Sequence, residues 1–369
     1  MAIPFLIIGL ILFIGLVVVH EFGHFIAARR NGVEVEEFGI GFPPKAKTLT
    51  RKNGTEYTLN WLPLGGFVKL KGEHDSDTRP GSYGAAGLKT KMKIMVAGVV
   101  MNLLAAWVLF TIVALFGMPR ANLEALPFYE QEQFTVASDE TQVANNVLVS
   151  VVDGSPAAEA GLQSGDEITR IGTDNVSDAE QLPNLTEKYS GQTIDVAYER
   201  SGESGVVRAE LNQERQEDQA YLGVAPVNST ILRYGWSAPV VGAGTTFQFA
   251  DVTLRGLGYV VQSLFAGQTD RATDNVGGPV AVFKILSDSS SMGLIRVFHI
   301  IGLISVSLAV VNILPIPALD GGRAFVTLAF RAVKKPLTQK TEELIHGTGF
   351  LFLMGVIVLI TIVDVRRFF

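Results

Sequence analysis

Residues 2–24 read AIPFLIIGLILFIGLVVVHEFGH, and this stretch decides the class of protein. The segment Ala2–Val19 carries no formal charge over 18 residues, which is long enough for most of a transmembrane helix. His20, Glu21 and His24 then follow on the same predicted helix. Ionisable groups at membrane depth cost about 2.5–3.5 kcal/mol each, so they indicate a functional site. The two histidines are four residues apart on one helix face and can bind one metal ion, with Glu21 beside them to accept a proton from water.

The composition indicates a multi-pass membrane protein with one soluble insert. Hydrophobic residues make up 48% of the 369 residues, and charged residues make up only 18%. The chain contains no cysteine, so a transition metal would need His, Asp or Glu ligands. A cleaved signal peptide is disfavoured, because no basic residue precedes the apolar run and no A-x-A cleavage site follows it.

Four segments are predicted to span the membrane, and the charges between them predict their orientation. The spans are about 2–27, 94–117, 297–319 and 347–363. The first loop holds 12 Lys/Arg against 7 Asp/Glu and the third holds 5 against 2, whereas the long second loop holds 10 against 24. Because basic loops stay cytoplasmic, we expect the acidic loop and both termini to be extracytoplasmic. Polar residues interrupt segment 236–265, which is therefore expected to form an amphipathic helix on the outer surface.

A third metal ligand is predicted at the inner end of the third span. A catalytic zinc needs three protein ligands and one open position. Residues 312–322 read NILPIPALDGG, so two prolines break the helix, and a Gly-Gly pair after Asp320 lets the chain turn sharply. Irregular backbone at membrane depth is tolerated where it lines a cavity, which suits a metal site. In the alternative interpretation, the two histidines are only polar residues at the end of a transmembrane helix.

These motifs resemble the site-2 protease family of intramembrane zinc metalloproteases, in its bacterial, PDZ-bearing, regulator-of-sigma-E-protease-like branch, over nearly the whole chain. The resemblance implies Zn2+ held by His20, His24 and Asp320, with Glu21 as general base. It also implies that Asn312 holds the substrate backbone or the reacting carbonyl; a helix–helix hydrogen bond is the alternative for Asn312.

The resemblance also implies a substrate class and a location. The expected substrates are single-pass membrane proteins, such as an anti-sigma factor or remnant signal peptides, cleaved within the membrane after ectodomain trimming, in regulated intramembrane proteolysis. The expected location is the bacterial inner membrane, with the lipid bilayer as a partner and no nucleic acid. One departure lies in the second span, where Val99 replaces the family's usual proline. Gly98 and Asn102 of that motif remain, and Asn102 is a candidate substrate-binding residue.

The first loop is predicted to form a β-hairpin. Thr55–Leu62 and Phe67–Leu70 have the composition of two strands, separated by Pro63 and two glycines. An exposed strand edge can pair with an extended peptide. In the family that the chain resembles, a corresponding hairpin dips into the membrane beside the metal, and residues 39–44 resemble its Gly-Phe-rich loop. A plain cytoplasmic hairpin is the alternative.

The long acidic loop contains a stretch, residues 136–226, that resembles a bacterial PDZ domain. A strand over 147–152, a turn and short helix over 154–162 and a strand over 165–171 carry this resemblance. Tyr221–Val224 resembles the carboxylate-binding loop, which makes Gly223 a candidate residue for binding peptide C-termini. A size filter that excludes bulky ectodomains is an alternative role.

The expected fold class is a multi-pass α-helical membrane protein with four transmembrane helices, a membrane-associated β-hairpin and an inserted α+β PDZ domain. The expected parts are 1–117, the N-terminal membrane half; 136–226, the PDZ domain; 234–292, amphipathic surface helices and linker; and 293–369, the C-terminal membrane half. A catalytically silent scaffold and a metal transporter are the alternatives. Spans two and four carry no charge in their apolar runs, which disfavours a transporter. We assign His74, His299 and His346 to no metal.

Overall fold

The computed structural model describes residues 2–152, 154–179, 181–200, 203–214, 221–274 and 276–368. This part of the chain contains ten α-helices. In chain order they are α1 (Ala2–Arg30), α2 (Leu88–Phe116), α3 (Pro156–Glu159), α4 (Gln181–Lys188), α5 (Ala238–Phe265), α6 (Thr269–Asp274), α7 (Pro279–Ser291), α8 (Leu294–Ile313), α9 (Asp320–Ala332) and α10 (Gln339–Phe368).

The strands of the described residues form two antiparallel sheets. They are β1 (Val35–Lys52), β2 (Thr55–Leu70), β3 (Met118–Pro119), β4 (Glu140–Val151), β5 (Glu167–Ile171), β6 (Asp174–Asn175), β7 (Thr193–Arg200), β8 (Glu203–Glu210) and β9 (Val224–Tyr234). One sheet is formed by β1 and β2 alone. The other has the order β3-β9-β4-β5-β7-β8, with β6 paired to β5.

The helices α1, α2, α8 and α10 are long and apolar enough to cross a membrane, which confirms the four predicted spans. α2 packs against both α1 and α8. Phe110 of α2 and Val306 of α8 share one buried cluster, and Leu16 of α1 and Ile301 of α8 share another. Only 11% of the apolar window of α10 is buried inside the protein, so α10 depends on a few specific contacts for its position.

The hairpin differs from the predicted pair of strands. β2 runs without interruption through Pro63, so both predicted strands belong to β2, and its partner is β1. The turn lies at Asn53 and Gly54, whose φ angles are 52° and 81°. Positive φ at both central residues is typical of a type I′ turn, which fits the twist of the two long strands. The expectation that the two strands of the hairpin are separated at Pro63 is therefore wrong.

The two strands are bent, and together they build a curled sheet beside α1. Gly39 pairs with Thr58 on one side and with Phe67 on the other, so the first half of β1 lies between the two halves of β2. Residues 66–70 consequently form an edge of this sheet, which we call the edge strand. The backbone of Gly65 and Gly66, where β2 bends, lies against Val17 and Val18 of α1. This contact brings the edge strand to within about one helical turn of His20.

Residues 140–234 form an α+β domain between α2 and α5, which we call the insert domain. Its core includes Val147, Ile168, Leu182, Val196 and Leu222. β9 pairs with β4 over its whole length, from the pair Val224–Val151 to the pair Tyr234–Glu140. The sheet therefore continues past the predicted domain end at residue 226, because the last strand is held in register by β4 until just before α5.

The helix predicted over residues 236–265 is α5, and one face of its first half is covered by protein. Phe249 stacks on Phe110 of α2 at 5.9 Å between ring centroids, and the indole N–H of Trp107 donates to the carbonyl oxygen of Pro239 at 2.8 Å. Its buried positions are spaced three and four apart, as on one helix face: Ala238, Val241, Gly242, Thr245, Thr246 and Phe249. α5 is thus amphipathic, as expected, but its buried face packs on α2 and α8.

Candidate metal centre

Three predicted ligands, contributed by α1 and by the start of α9, converge at one point. Nε2 of His20 and Nε2 of His24 lie 3.1 Å apart. Oδ2 of Asp320 lies 2.9 Å from Nε2 of His20 and 3.2 Å from Nε2 of His24. Both histidines are 7% exposed. Within the described ranges, these are the three side chains of metal-binding type that lie close enough together to share an ion.

The other ring nitrogens of the two histidines face polar groups on α2. Nδ1 of His24 donates to the carbonyl oxygen of Ile94 at 2.7 Å. Nδ1 of His20 lies 3.3 Å from the side-chain amide of Asn102, whose Oδ1 is buried and has no hydrogen-bond partner among the described residues. Amide nitrogen and oxygen are assigned from their surroundings, and exchanging them lets Oδ1 accept from Nδ1–H. Both Nε2 atoms then present lone pairs to the same point, which is the arrangement that zinc ligands require.

Gly98 allows α2 to approach the two imidazoles closely. A Cβ atom at this position would lie 2.5 Å from Nε2 of His24 and 2.6 Å from Nε2 of His20. The next residue, Val99, is buried, and α2 continues through it without interruption. Replacement of the family's proline by Val99 therefore leaves the helix beside the histidines intact.

Asp320 is placed by a tight turn between α8 and α9. The N–H of Leu319 donates to the carbonyl oxygen of Ile316 at 3.1 Å, and Ala318 has a φ of 81°. With Pro317 at the second position, these are the marks of a type II turn. Asp320 follows directly as the first residue of α9. The predicted helix break is therefore present, but the helix that follows it was not predicted.

The two glycines after Asp320 have a different role from the one expected. Gly321 and Gly322 lie in the first turn of α9 and not in the preceding turn of the chain. A Cβ atom at either position would collide with the backbone around Ile313 and Ile316. The absence of side chains thus lets the start of α9 pack against the end of α8, which fixes the position of Asp320.

Glu21 faces a cavity of about 250 Å3 that adjoins the metal ligands. Val68, in the edge strand, lines the same cavity as Glu21. The cavity is lined by Glu21, His24, Phe67, Val68, Leu70, Glu73, Tyr83, Ile94, Met95, Asp320 and Arg323. A single space is therefore in contact with the acid–base candidate, two metal ligands and the edge strand.

A group of charged residues on the inner side of this cavity was not found by sequence reasoning. The fully buried Lys91 forms an ion pair with Asp75. Glu342 of α10 accepts from the backbone N–H of Asp75 at 2.9 Å and lies 3.9 Å from Arg323. The Tyr83 ring lies between Lys91 and Arg323, and burial raises the pKa of its phenol. The available sequence signal was the density of charges in the loop before α2, which the sequence analysis used only to predict orientation.

The remaining predicted site residues are not all at the metal centre. Asn102 contacts His20 and so lies behind a metal ligand and away from the cavity. Asn312 is partly buried in the last turn of α8. Gly223 belongs to the insert domain, where its carbonyl oxygen accepts from the N–H of Val152 and its φ is 72°. The structure thus separates Gly223 from the metal centre.

Comparison with known proteins identifies the family. The family model for peptidase family M50 matches residues 8–356. This chain belongs to peptidase family M50, the site-2 proteases. Among its relatives, a Clostridium perfringens protein named "putative zinc metalloprotease" is 31% identical over 98% of each chain. The Enterococcus faecalis "probable protease eep" is 28% identical over 96% of this chain and 97% of its own. A "putative zinc metalloprotease" of Campylobacter jejuni is 29% identical over 95% of this chain and 90% of its own. The protein is therefore a membrane-embedded, zinc-dependent metalloprotease, as its motifs predicted.

Proposed function

We propose that this metalloprotease is an endopeptidase that cleaves transmembrane segments of single-pass membrane proteins after their ectodomains have been trimmed. The observation that carries the proposal is the position of the candidate metal centre. His20 and His24 lie on a helix whose preceding 18 residues carry no charge, so the reacting carbonyl must enter the membrane-spanning region. Such a location suits regulated intramembrane proteolysis of an anti-sigma factor or of remnant signal peptides.

The proposed roles of the residues follow from their positions. His20, His24 and Asp320 hold Zn2+, which when bound lowers the pKa of water and polarises the scissile carbonyl. The carboxylate of Glu21 accepts a proton from the attacking water and passes it to the leaving amine. Asn312 is proposed to hold the substrate backbone near the carbonyl that reacts.

The edge strand is the proposed binding surface for the unwound substrate. A helical substrate hides its peptide bonds in intrahelical hydrogen bonds, so it must be extended before attack. Residues 66–70 form a sheet edge, and three of them line the cavity that contains Glu21. Pairing along this edge would hold an extended segment beside the metal ligands. Val68, which lines the cavity together with Glu21, would lie within this pairing region.

The proposed orientation places the insert domain and both termini outside the cytoplasm, in a bacterial inner membrane. The excess of basic residues in the first and third loops supports it. We propose that the insert domain is a PDZ domain with two candidate roles, which are to bind peptide C-termini at Gly223 or to exclude bulky ectodomains. Cleavage of matched reporters with short and with compact folded ectodomains distinguishes these roles. If the insert domain is a size filter, only the reporter with the short ectodomain should be cleaved, and a substitution at Gly223 should not change this result.

The central test is cleavage of a single-pass reporter with a short ectodomain by the full-length chain. We expect wild type to release the cytoplasmic fragment, and Glu21→Gln to bind zinc normally but leave the reporter uncut. Glu124→Gln, at an exposed position outside the site, is the matched control and should cut like wild type. Cleavage by Glu21→Gln at the wild-type rate would refute the role of Glu21. Failure of wild type to cut a panel of such reporters would refute the substrate class.

A further inference from the structure

The turn that carries Asp320 adopts an unfavourable backbone conformation. Residues Ile316–Leu319 form a type II turn, and its third position, Ala318, has a φ of 81°. Glycine is preferred at this position, because an L-residue with a side chain is strained at positive φ. An alanine there would favour the type I turn, in which φ at the third position is negative. Something outside the turn must therefore select the observed conformation.

His346 of α10 makes the contact that distinguishes the two conformations. Nδ1 of His346 accepts a hydrogen bond from the backbone N–H of Ala318 at 3.1 Å. Type I and type II turns differ mainly by a flip of the central peptide, here the one between Pro317 and Ala318. That flip would turn the N–H of Ala318 away from His346. The hydrogen bond is therefore formed only in the type II conformation, which it stabilises relative to type I.

A second contact holds α10 against the same turn. Gly349 lies three residues after His346, on the same helix face. A Cβ atom at Gly349 would lie 2.7 Å from the carbonyl oxygen of Pro317, so the helix backbone touches the turn directly. α10 has few buried positions, so its contact with this turn is one of its attachments to the protein, beside Asp364, which accepts from the N–H groups of Gly278 and Ala281.

We propose that His346 is a positioning residue for the third zinc ligand. By binding the N–H of Ala318, it ties the turn to α10 and thereby holds the position from which α9 and the Asp320 carboxylate start. It touches neither the metal nor the substrate. This inference rests on the proposed assignment of Asp320 as a zinc ligand, and it assigns to the fourth span a part in building the metal centre.

The test measures zinc retention by purified full-length protein in competition with a chelator, together with reporter cleavage. His346→Ala should weaken zinc retention by about tenfold, the low end of the range for residues that orient metal ligands. His346→Asn retains an acceptor at the position of Nδ1 and should retain zinc, whereas His346→Gln places its acceptor one atom further out and should not. Adding Ala318→Gly to His346→Ala should restore zinc retention, because glycine adopts positive φ without strain. Thr348→Ala, whose hydroxyl bonds only within α10, is the matched control.

The outcomes separate this inference from the proposed function. If Asp320→Ala loses zinc but His346→Ala retains it like wild type, the positioning role is overturned and the ligand assignment stands. If Asp320→Ala also retains zinc, the ligand assignment fails, and the role of His346 fails with it. If His346→Ala is defective but neither His346→Asn nor the added Ala318→Gly restores zinc, the defect comes from general misfolding and the inference is overturned.

Discussion

Substitution of Gly98 by alanine should abolish zinc binding without unfolding the protein. The added Cβ would lie 2.5 Å from Nε2 of His24, whereas ordinary contact begins at 3.4 Å, so the imidazole must retreat by about 0.9 Å. Nε2 of His20, at 2.6 Å, must move by a similar distance. Zinc sites tolerate deviations of about 0.2 Å in ligand distance. A misplacement of about 1 Å costs about 100-fold in activity, and we expect a loss of at least this size.

The same substitution should stabilise the α2 helix itself, so a loss of zinc binding would report the contact with the histidines and not a weakened helix. Alanine is favoured over glycine in a helix interior by about 1 kcal/mol, so Gly98→Ala should not weaken α2 itself. The matched control is Gly15→Ala in α1, where a Cβ would meet no atom within 4 Å. The assay compares zinc per protein chain and reporter cleavage for both variants at equal thermal stability. Full zinc occupancy and activity in Gly98→Ala would refute the packing argument, because they would show that a Cβ atom fits between α2 and the two imidazoles.

Three other predictions follow from contacts around the site. Asn102→Ala should lower zinc affinity by about tenfold, because His20 loses the acceptor of its Nδ1 proton; an unchanged affinity in the chelator assay would contradict this. Hydrogen bonds from Thr48, Lys45 and Arg51 lower the pKa of Glu56 to about 2, so its contribution to hairpin stability is present above pH 4.5 and disappears as the pH falls towards 2. Thr48→Ala should therefore raise this pKa towards 4.5 in an NMR titration, and an unmoved titration curve would exclude the hydroxyl as a cause. Lys91→Ala should destabilise the protein by about 3 kcal/mol, the low end of the range for breaking a buried pair, because the Asp75 carboxylate keeps only Arg331 at 3.8 Å; an unchanged melting temperature in detergent would contradict this.

The four spans and the three candidate metal ligands that converge could be identified from the sequence, because their composition differs sharply from that of the neighbouring residues. Ionisable side chains after 18 uncharged residues are conspicuous, and so is an aspartate that follows a proline-broken apolar run. The family comparison confirmed the zinc metalloprotease prediction. These features need no knowledge of which helices touch, since helix periodicity alone places His20 and His24 on one face.

The hairpin was predicted in part, and the reason for the error is physical. β1 contains Pro43 and Pro44 and then a basic run, a composition that resembles a solvated loop more than a strand. Its pairing with both halves of β2 depends on a bend that local propensity does not encode. The position of the turn could have been predicted, since Asn-Gly at residues 53–54 is a strong signal for a two-residue hairpin turn.

Contacts between helices could not be predicted, because they depend on packing and not on sequence spacing. Neither the carbonyl oxygen of Ile94 behind His24 nor the imidazole of His346 behind Ala318 carries a motif. A backbone carbonyl has no residue-specific signature, and a histidine at the end of a span has many ordinary uses. The type II turn was hidden for a similar reason, since alanine at its third position gives no indication of a positive φ.

All four spans contribute contacts around the three candidate metal ligands. α1 supplies two candidate ligands, α2 supplies the polar groups behind them and the glycine that lets α2 approach them, and the break between α8 and α9 supplies the third candidate ligand. In our inference α10 then fixes the turn before Asp320. Because apolar helix faces pack in lipid without strong orientational preference, polar contacts must set the relative positions to within tenths of an ångström. Hence the polar residues outside the proposed ligand set help to determine the geometry of the candidate metal centre.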